Sequence, residues 1–237
     1  GVILGAEVML KPFGNELWIH DGAEIVGAAG FHYPTRMAVI RLSMGGLWLW
    51  SPTALSDELI RALDALGPVK ALIAPNTLHH TFMGAWSGAY PEARVYLLPE
   101  LAGKRPDLNA AEALSDRPDS LWAKDIEQVV FSGNTILTEC VFFHRDSGTV
   151  LFTDLLQNLP RDWYRGWRQL VARLDLMTEQ KPTVPRKFRM AFRDRALARA
   201  ALSRIESWPV ERVLMAHGTP ISSGGRDFLS SAFRWLR

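Results

Sequence analysis

The chain has 237 residues, of which 48% are hydrophobic and 22% are charged, and its formal net charge is +2. This composition excludes a disordered, collagenous or low-complexity protein, and the length allows a substantial core, so we expect a single domain over residues 1–237. No apolar run approaches the roughly 18 residues of a membrane span, and the single cysteine, Cys140, excludes a disulfide scaffold.

Nine apolar segments, rich in β-branched and aromatic residues, predict β-strands. They cover residues 17–20, 37–42, 47–50, 70–74, 94–98, 126–131, 137–144, 149–153 and 212–216. Turn signals follow the second and the seventh of these segments, as Met-Gly-Gly at 44–46 and Arg-Asp-Ser-Gly at 145–148. The sheets are therefore expected to be partly antiparallel.

Four segments carry helical patterns, at residues 56–66, 163–176, 193–208 and 226–237. The first of them has Asp57 in its first turn and is followed by Gly67 and Pro68, which end a helix. Because strands and helices alternate, the sequence predicts an α/β (α+β) protein whose two sheets are covered by helices on their outer faces.

Positive charge is concentrated in one stretch of the chain. From Arg186 to Arg204 there are seven basic residues and one acidic residue, a net charge of +6, which leaves −4 for the remainder. Apolar residues and arginines in this stretch fall on different sides of a helix. Two interpretations remain open, namely a solvated helix face and a surface for an anionic partner or a membrane surface.

Three apolar strand segments end in residues that bind metals or transfer protons. The first leads through Pro75 and Asn76 to His79 and His80, the second ends at Asp154, and the third ends at His217. In sheets flanked by helices, ligands bind beyond the carboxyl ends of strands, where residues distant in sequence converge. We therefore expect these two histidines, the aspartate and the third histidine to share one pocket.

Three imidazoles and one carboxylate are a suitable donor set for one divalent ion, Zn²⁺, Fe²⁺ or Mn²⁺. Adjacent histidines diverge by about 100° within a helix, so His79 and His80 reach one ion only from a loop or a helix start. The preceding Pro75 and Asn76 indicate such a turn. The alternative is that no metal binds and each histidine is hydrogen-bonded separately.

The order of these motifs resembles the metallo-β-lactamase fold over nearly the whole chain. More closely, Ala-Pro-Asn-Thr-Leu-His-His at 74–80, Thr-Glu-Cys-Val-Phe-Phe-His at 138–144 and Thr-Asp-Leu at 153–155 resemble a domain-of-unknown-function family related to that superfamily. The resemblance implies a four-layer αβ/βα sandwich.

Under this resemblance, the first metal site of the superfamily has lost its ligands. The first two histidines of the hallmark His-X-His-X-Asp-His motif fall on Pro75 and Thr77, and the third histidine of that site falls on Asn134. Asn76 and Asn134 are expected to supply amide hydrogen bonds near the positions where relatives hold metal ligands.

The residues that remain match the superfamily's second metal site and imply a mononuclear centre. They are His79 in place of an aspartate, His80, the bridging Asp154, and His217. Asp154 is either the fourth ligand or the base that orients water. Glu139, near the turn that contains Asn134, is the second predicted catalytic residue.

Two functions remain open at this point. One is a metal-dependent hydrolase that acts on a small-molecule ester, lactone, amide or phosphoester. The other is a non-catalytic binding module of the same fold, in which the stretch from Arg186 to Arg204 contacts an anionic partner. No organic cofactor is predicted, and the lone cysteine is typical of a reducing compartment, so a cytoplasmic location is expected.

Overall fold

The structure, a computed structural model, describes residues 9–26, 32–108, 112–134, 137–156 and 184–237. Within these residues, two β-sheets lie face to face and helices cover their outer faces. The prediction of a four-layer αβ/βα sandwich is confirmed, because each sheet buries one face against the other sheet and one face against helices.

The first sheet contains seven strands in the order β1 to β7. These strands are β1 (Lys11–Gly14), β2 (Leu17–Val26), β3 (His32–Arg41), β4 (Leu47–Trp50), β5 (Val69–Ile73), β6 (Arg94–Leu97) and β7 (Glu112–Ala113). The first four are antiparallel, whereas β4 to β7 are parallel to one another. The carboxyl ends of β4 and β5 therefore lie at the same edge of the sheet.

The second sheet contains four strands in the order β11, β10, β9, β8. These strands are β8 (Ile126–Phe131), β9 (Glu139–His144), β10 (Thr149–Phe152) and β11 (Arg212–Met215). The pair β10 and β11 is parallel, and the other neighbours are antiparallel. The residues that follow β10 and β11 therefore lie at one edge.

Six α-helices occur in the described residues. They are α1 (Asp57–Leu66), α2 (Met83–Ala89), α3 (Pro99–Ala102), α4 (Arg186–Ala191), α5 (Arg195–Glu206) and α6 (Gly225–Ala232). Ser56 caps α1, because its Oγ accepts a hydrogen bond from the backbone N–H of Leu59 at 3.2 Å. None of the helices within these ranges has the length and apolar character needed to cross a membrane.

The predicted elements agree with the structure where a strand is apolar and bounded by turn residues. Strands β4 and β8 have the predicted ends, and glycines with φ of +91° and +90° make the predicted turn at residues 44–46. The short elements β1, β7, α2 and α3 were missed, and the helical pattern noted from Arg186 to Arg204 is divided into α4 and α5. The last predicted helix is shorter, with α6 ending at Ala232. The helix predicted at 163–176 lies outside the described residues.

Strand β4 shows why the two sheets stay together. Its alternate side chains Trp48 and Trp50 point into the core between the sheets, whereas Leu47 and Leu49 pack under the outer helices. The ring of Trp48 meets the ring of Phe142 from the second sheet edge-on, at 4.9 Å between centroids. Because β4 is buried on both faces, its carboxyl end is held in place, and this fixes the position of Ser51, the residue that follows it.

Candidate metal centre

Three strand ends meet where the edges of the two sheets come together. His79 lies in the segment after β5, Asp154 lies two residues after β10, and His217 lies two residues after β11. The Nε2 atom of His79 is 3.0 Å from Asp154 Oδ2 and 3.0 Å from His217 Nε2. The Nε2 atom of His217 is 2.8 Å from Asp154 Oδ1. The structure therefore brings together three of the four residues predicted as metal ligands.

The far sides of both imidazole rings are hydrogen-bonded. His217 Nδ1 is 2.7 Å from the carbonyl oxygen of Pro34, and a carbonyl only accepts, so Nδ1 carries the proton. His79 Nδ1 is 3.1 Å from Ser51 Oγ. In a neutral His217, the lone pair of Nε2 is then directed at His79 and Asp154. Metal-binding histidines have the same arrangement, since their second ring nitrogen donates a hydrogen bond to a protein oxygen.

This donor set fits a divalent metal ion. Two imidazole nitrogens and one carboxylate are ligands that Zn²⁺, Fe²⁺ and Mn²⁺ accept, and the three donor atoms lie within 4.8 Å of one another. Lone pairs held this close repel each other unless a proton or a metal ion lies between them. The geometry is therefore that of a site organised around a positive charge.

The electrostatics of the cluster keep Asp154 ionised. Burial alone would raise the pKa of Asp154, but the charges and hydrogen bonds of His79 and His217 together hold it well below its ordinary value. Burial alone would lower the pKa of His79, but Asp154, with a contribution from Glu139, raises it. A buried carboxylate that stays charged is a strong ligand for a cation.

Asn76 connects the loop of His79 with the loop of Asp154. Its amide oxygen accepts the backbone N–H groups of Leu78, at 2.9 Å, and His79, at 2.8 Å. Its amide nitrogen donates to Asp154 Oδ2 at 2.6 Å. The sequence predicted an amide hydrogen bond at this position, and the structure shows that the amide contacts two of the three candidate ligands, His79 and Asp154.

Glu139, predicted as catalytic, lies behind the cluster rather than in it. Its side chain is 0% exposed, and its carboxylate accepts the backbone N–H groups of Thr153, at 3.0 Å, and Asp154, at 2.8 Å. The Thr153 hydroxyl also donates to it. Burial and the neighbouring charge of Asp154 raise the pKa of Glu139. Glu139 therefore fixes the backbone that carries Asp154.

His80, the fourth predicted ligand, is not in the group of three. Arg105 Nη1 lies 3.0 Å from His80 Nδ1 and donates to the His80 carbonyl oxygen at 2.6 Å, while Nη2 donates to Asp107 Oδ2 at 2.7 Å. Burial, followed by the charges of Arg105 and Lys104, lowers the pKa of His80. Side chains of adjacent residues diverge, and in this loop only the first of the two histidines faces Asp154.

Sequence reasoning missed two residues that shape the centre. Ser51, which contacts His79, has a φ of +53°, a left-handed conformation that costs a non-glycine residue about 1–3 kcal/mol. Arg36 Nη1 donates to the carbonyls of Met215, at 3.0 Å, and Gly218, at 2.5 Å, on either side of His217. No local sequence signal indicates either role, because both depend on partners far along the chain.

Asn134, where the resemblance places a lost histidine, has a structural role. Its Nδ2 donates to the carbonyl of Phe188 at 2.7 Å, and its Oδ1 accepts the backbone N–H of Leu137 at 3.1 Å. The predicted amide hydrogen bonds of this residue are therefore present, and they join Asn134 to Leu137 and to helix α4.

The basic stretch from Arg186 to Arg204 forms α4 and α5, and part of its charge is used within the chain. The guanidinium groups of Arg189 and Arg195 lie 5.5 and 5.6 Å from the ring centroid of Trp235. Arg199 Nε donates to the carbonyl of Leu236 at 2.8 Å. These arginines tie α4 and α5 to the end of the chain.

Comparison with protein families identifies the chain. The family model described as Domain of unknown function (DUF4336) matches residues 14–181, which is more than half of the sequence. The chain belongs to the DUF4336 family. The predicted resemblance to a domain-of-unknown-function family is confirmed. A search of curated proteins found no match.

Solved structures show that this DUF4336 chain has a metallo-β-lactamase-like fold. The metallo-β-lactamase FIM-1 from Pseudomonas aeruginosa, in a mono-zinc form, aligns with a TM-score of 0.61 and 12% identity, over 96% of this chain and 93% of that one. A metallo-β-lactamase from Erythrobacter litoralis aligns with a TM-score of 0.63 and 12% identity, over 96% and 95%.

A flavodiiron protein shares the same fold. The metal-soaked Flv1 flavodiiron core from Synechocystis sp. PCC6803 aligns with a TM-score of 0.64 and 11% identity, over 96% of this chain. The DUF4336 chain spans 60% of the length of that structure. Because the sequence identities are only 11–12%, these structural similarities establish the fold alone.

Proposed function

We propose that this chain is a metal-dependent hydrolase with a single-ion site formed by His79, Asp154 and His217. The observation that supports it is the convergence of two imidazole Nε2 atoms and one ionised carboxylate, with all three donor atoms within 4.8 Å of one another. The fold adds support, because FIM-1, a structural neighbour, was solved in a mono-zinc form.

The number of ligands favours catalysis over a structural metal. Structural zinc sites usually close a shell of four protein ligands, whereas catalytic sites use three and keep one position open. His79, Asp154 and His217 form a set of three among the described residues, and His80 is turned to Arg105. We assign Asp154 as a ligand rather than as a free base.

A bound divalent ion supplies Lewis-acid chemistry, since it polarises a carbonyl or phosphoryl oxygen and makes water more acidic. The residues of the chain orient that ion: Pro34 and Ser51 set the rings of His217 and His79, and Glu139 holds the backbone at Asp154. These features suit hydrolysis of an ester, a lactone, an amide or a phosphoester, with Zn²⁺, Fe²⁺ or Mn²⁺ as the ion.

An activity panel tests this proposal. Protein loaded with Zn²⁺, Fe²⁺ or Mn²⁺ should hydrolyse at least one chromogenic ester, lactone, amide or phosphoester faster than the metal-free protein does. Asp154→Ala should lose that activity, and Glu127→Ala, which changes a carboxylate that pairs with Arg145 on the second sheet, should retain it.

Stoichiometric metal without turnover of any of these substrate classes would contradict a hydrolase and favour the non-catalytic binding module. A pull-down with anionic vesicles or nucleic acid at increasing salt concentration would then test whether the stretch from Arg186 to Arg204 binds an anionic partner.

A further inference from the structure

We infer that Asn76 is a positioning residue that sets how Asp154 binds the metal ion, by holding Oδ2 and leaving Oδ1 to the ion. This inference rests on the proposed metal site. Asn76 is 0% exposed, so water does not compete for its hydrogen bonds. Its side chain contacts the backbone of one proposed ligand, His79, and the carboxylate of another, Asp154.

The orientation of the Asn76 amide follows from its partners. The backbone N–H groups of Leu78 and His79 lie 2.9 and 2.8 Å from one end of the amide, and these groups can only donate. That end must be the oxygen, because a flipped amide would place its own N–H groups against them. The nitrogen therefore faces Asp154.

The two amide hydrogens are matched to two acceptors. Nδ2 lies 2.6 Å from Asp154 Oδ2, 2.9 Å from Thr153 Oγ1 and 3.2 Å from Glu139 Oε1. The Thr153 hydroxyl donates its own hydrogen to Glu139, so its oxygen is able to accept from Asn76. The two shorter contacts then use both hydrogens, and one of them holds Asp154 Oδ2.

This arrangement directs the two oxygens of Asp154 differently. Oδ2 receives the short amide hydrogen bond and lies 3.0 Å from His79 Nε2, whereas Oδ1 lies 2.8 Å from His217 Nε2 and has no hydrogen bond from Asn76. The charge-assisted hydrogen bond from the amide engages one lone pair of Oδ2 and draws electron density from it, so we expect Oδ1 to be the stronger donor to a cation. Monodentate binding keeps the proposed shell at three protein donor atoms, while bidentate binding would add a fourth.

Co²⁺ titration of Asn76→Ala tests this role. Metal-binding residues that lose a hydrogen-bonding partner typically lose roughly 10–100-fold in metal affinity, and we expect a fall of this size. The visible bands of bound Co²⁺ should also weaken, because a released Asp154 becomes bidentate and raises the coordination number. A loss of packing alone would leave the intensity of these bands per bound ion unchanged.

Gln128→Ala is the matched control. Gln128 is also an amide side chain with 0% exposure, and it accepts a hydrogen bond from Trp122 Nε1 at 2.8 Å outside the metal centre. Its replacement should lower the melting temperature of the metal-free protein but leave the Co²⁺ affinity and spectrum as in the wild type. Melting of each metal-free variant is followed in parallel.

A measurement on the wild type avoids any folding defect of the variant. The side-chain amide protons of Asn76 should stay protected from solvent exchange in NMR spectra of the Zn²⁺-bound protein. Fast exchange of these protons, or an Asn76→Ala protein with wild-type affinity and spectrum, would overturn the inference while the metal site stands. A wild type that takes up no Co²⁺ would overturn both.

Discussion

His217→Ala should lower the affinity for Zn²⁺ by more than about 100-fold, because loss of a mere hydrogen-bonding partner of a ligand already costs roughly 10–100-fold. The substitution removes the imidazole whose Nε2 lies 2.8 Å from Asp154 Oδ1 and 3.0 Å from His79 Nε2. Calorimetric titration measures the affinity directly. Thermal unfolding gives a second readout, since an ion at 100 times its Kd adds about 2.7 kcal/mol to the free energy of unfolding.

His80→Ala is the matched control for this prediction. It removes an imidazole from the same loop as His79, but one that contacts Arg105 instead of Asp154. Its Zn²⁺ affinity should remain that of the wild type. If His80→Ala abolished binding while His217→Ala retained it, His80 would be a ligand and His217 would not, which is the reverse of the proposed site.

Glu139→Ala should destabilise the fold by roughly 2–5 kcal/mol, because it leaves several buried hydrogen-bond donors without an acceptor. The substitution leaves the backbone N–H groups of Thr153 and Asp154 without their acceptor, and the side chain it removes is 0% exposed. Each buried donor left unpaired costs about 1–3 kcal/mol. Urea denaturation of the metal-free protein measures the change. The dependence of the unfolding free energy on urea concentration should be the same for the variant and the wild type.

Glu127→Ala, on the neighbouring strand, serves as the comparison. Its carboxylate pairs with Arg145 in a partly exposed ion pair, and such pairs contribute about 0–1 kcal/mol. Glu139→Gln should fall between the two, because it keeps one oxygen acceptor. Equal stabilities for Glu139→Ala and Glu127→Ala would show that Glu139 does not organise the Asp154 loop.

Much of the fold was predictable because its strands carry strong local signals. Strand β4 is four consecutive apolar residues between a glycine turn and a helix cap, and its ends were predicted correctly. The short helix α2, of seven residues, was missed because it is too short to show an apolar period. The two-residue strand β7 has exposed side chains and gives no signal either.

The candidate site was likewise predictable from the sequence only in part. The rule that ligands lie beyond the carboxyl ends of strands predicts a common pocket for His79, Asp154 and His217, since each follows a buried strand. The position of His80 depends on Arg105, 25 residues further along the chain, and no local pattern reveals that contact. The left-handed backbone of Ser51 is equally hidden, because serine carries no signal for a positive φ.

A crystal structure of the zinc-loaded protein, with anomalous scattering data collected at the zinc edge, tests the single-ion site most directly. We expect one anomalous peak about 2.0–2.2 Å from the Nε2 atoms of His79 and His217 and from a carboxylate oxygen of Asp154. A peak bound to other residues, or no peak in crystals grown with excess zinc, would contradict a single-ion site at these three side chains.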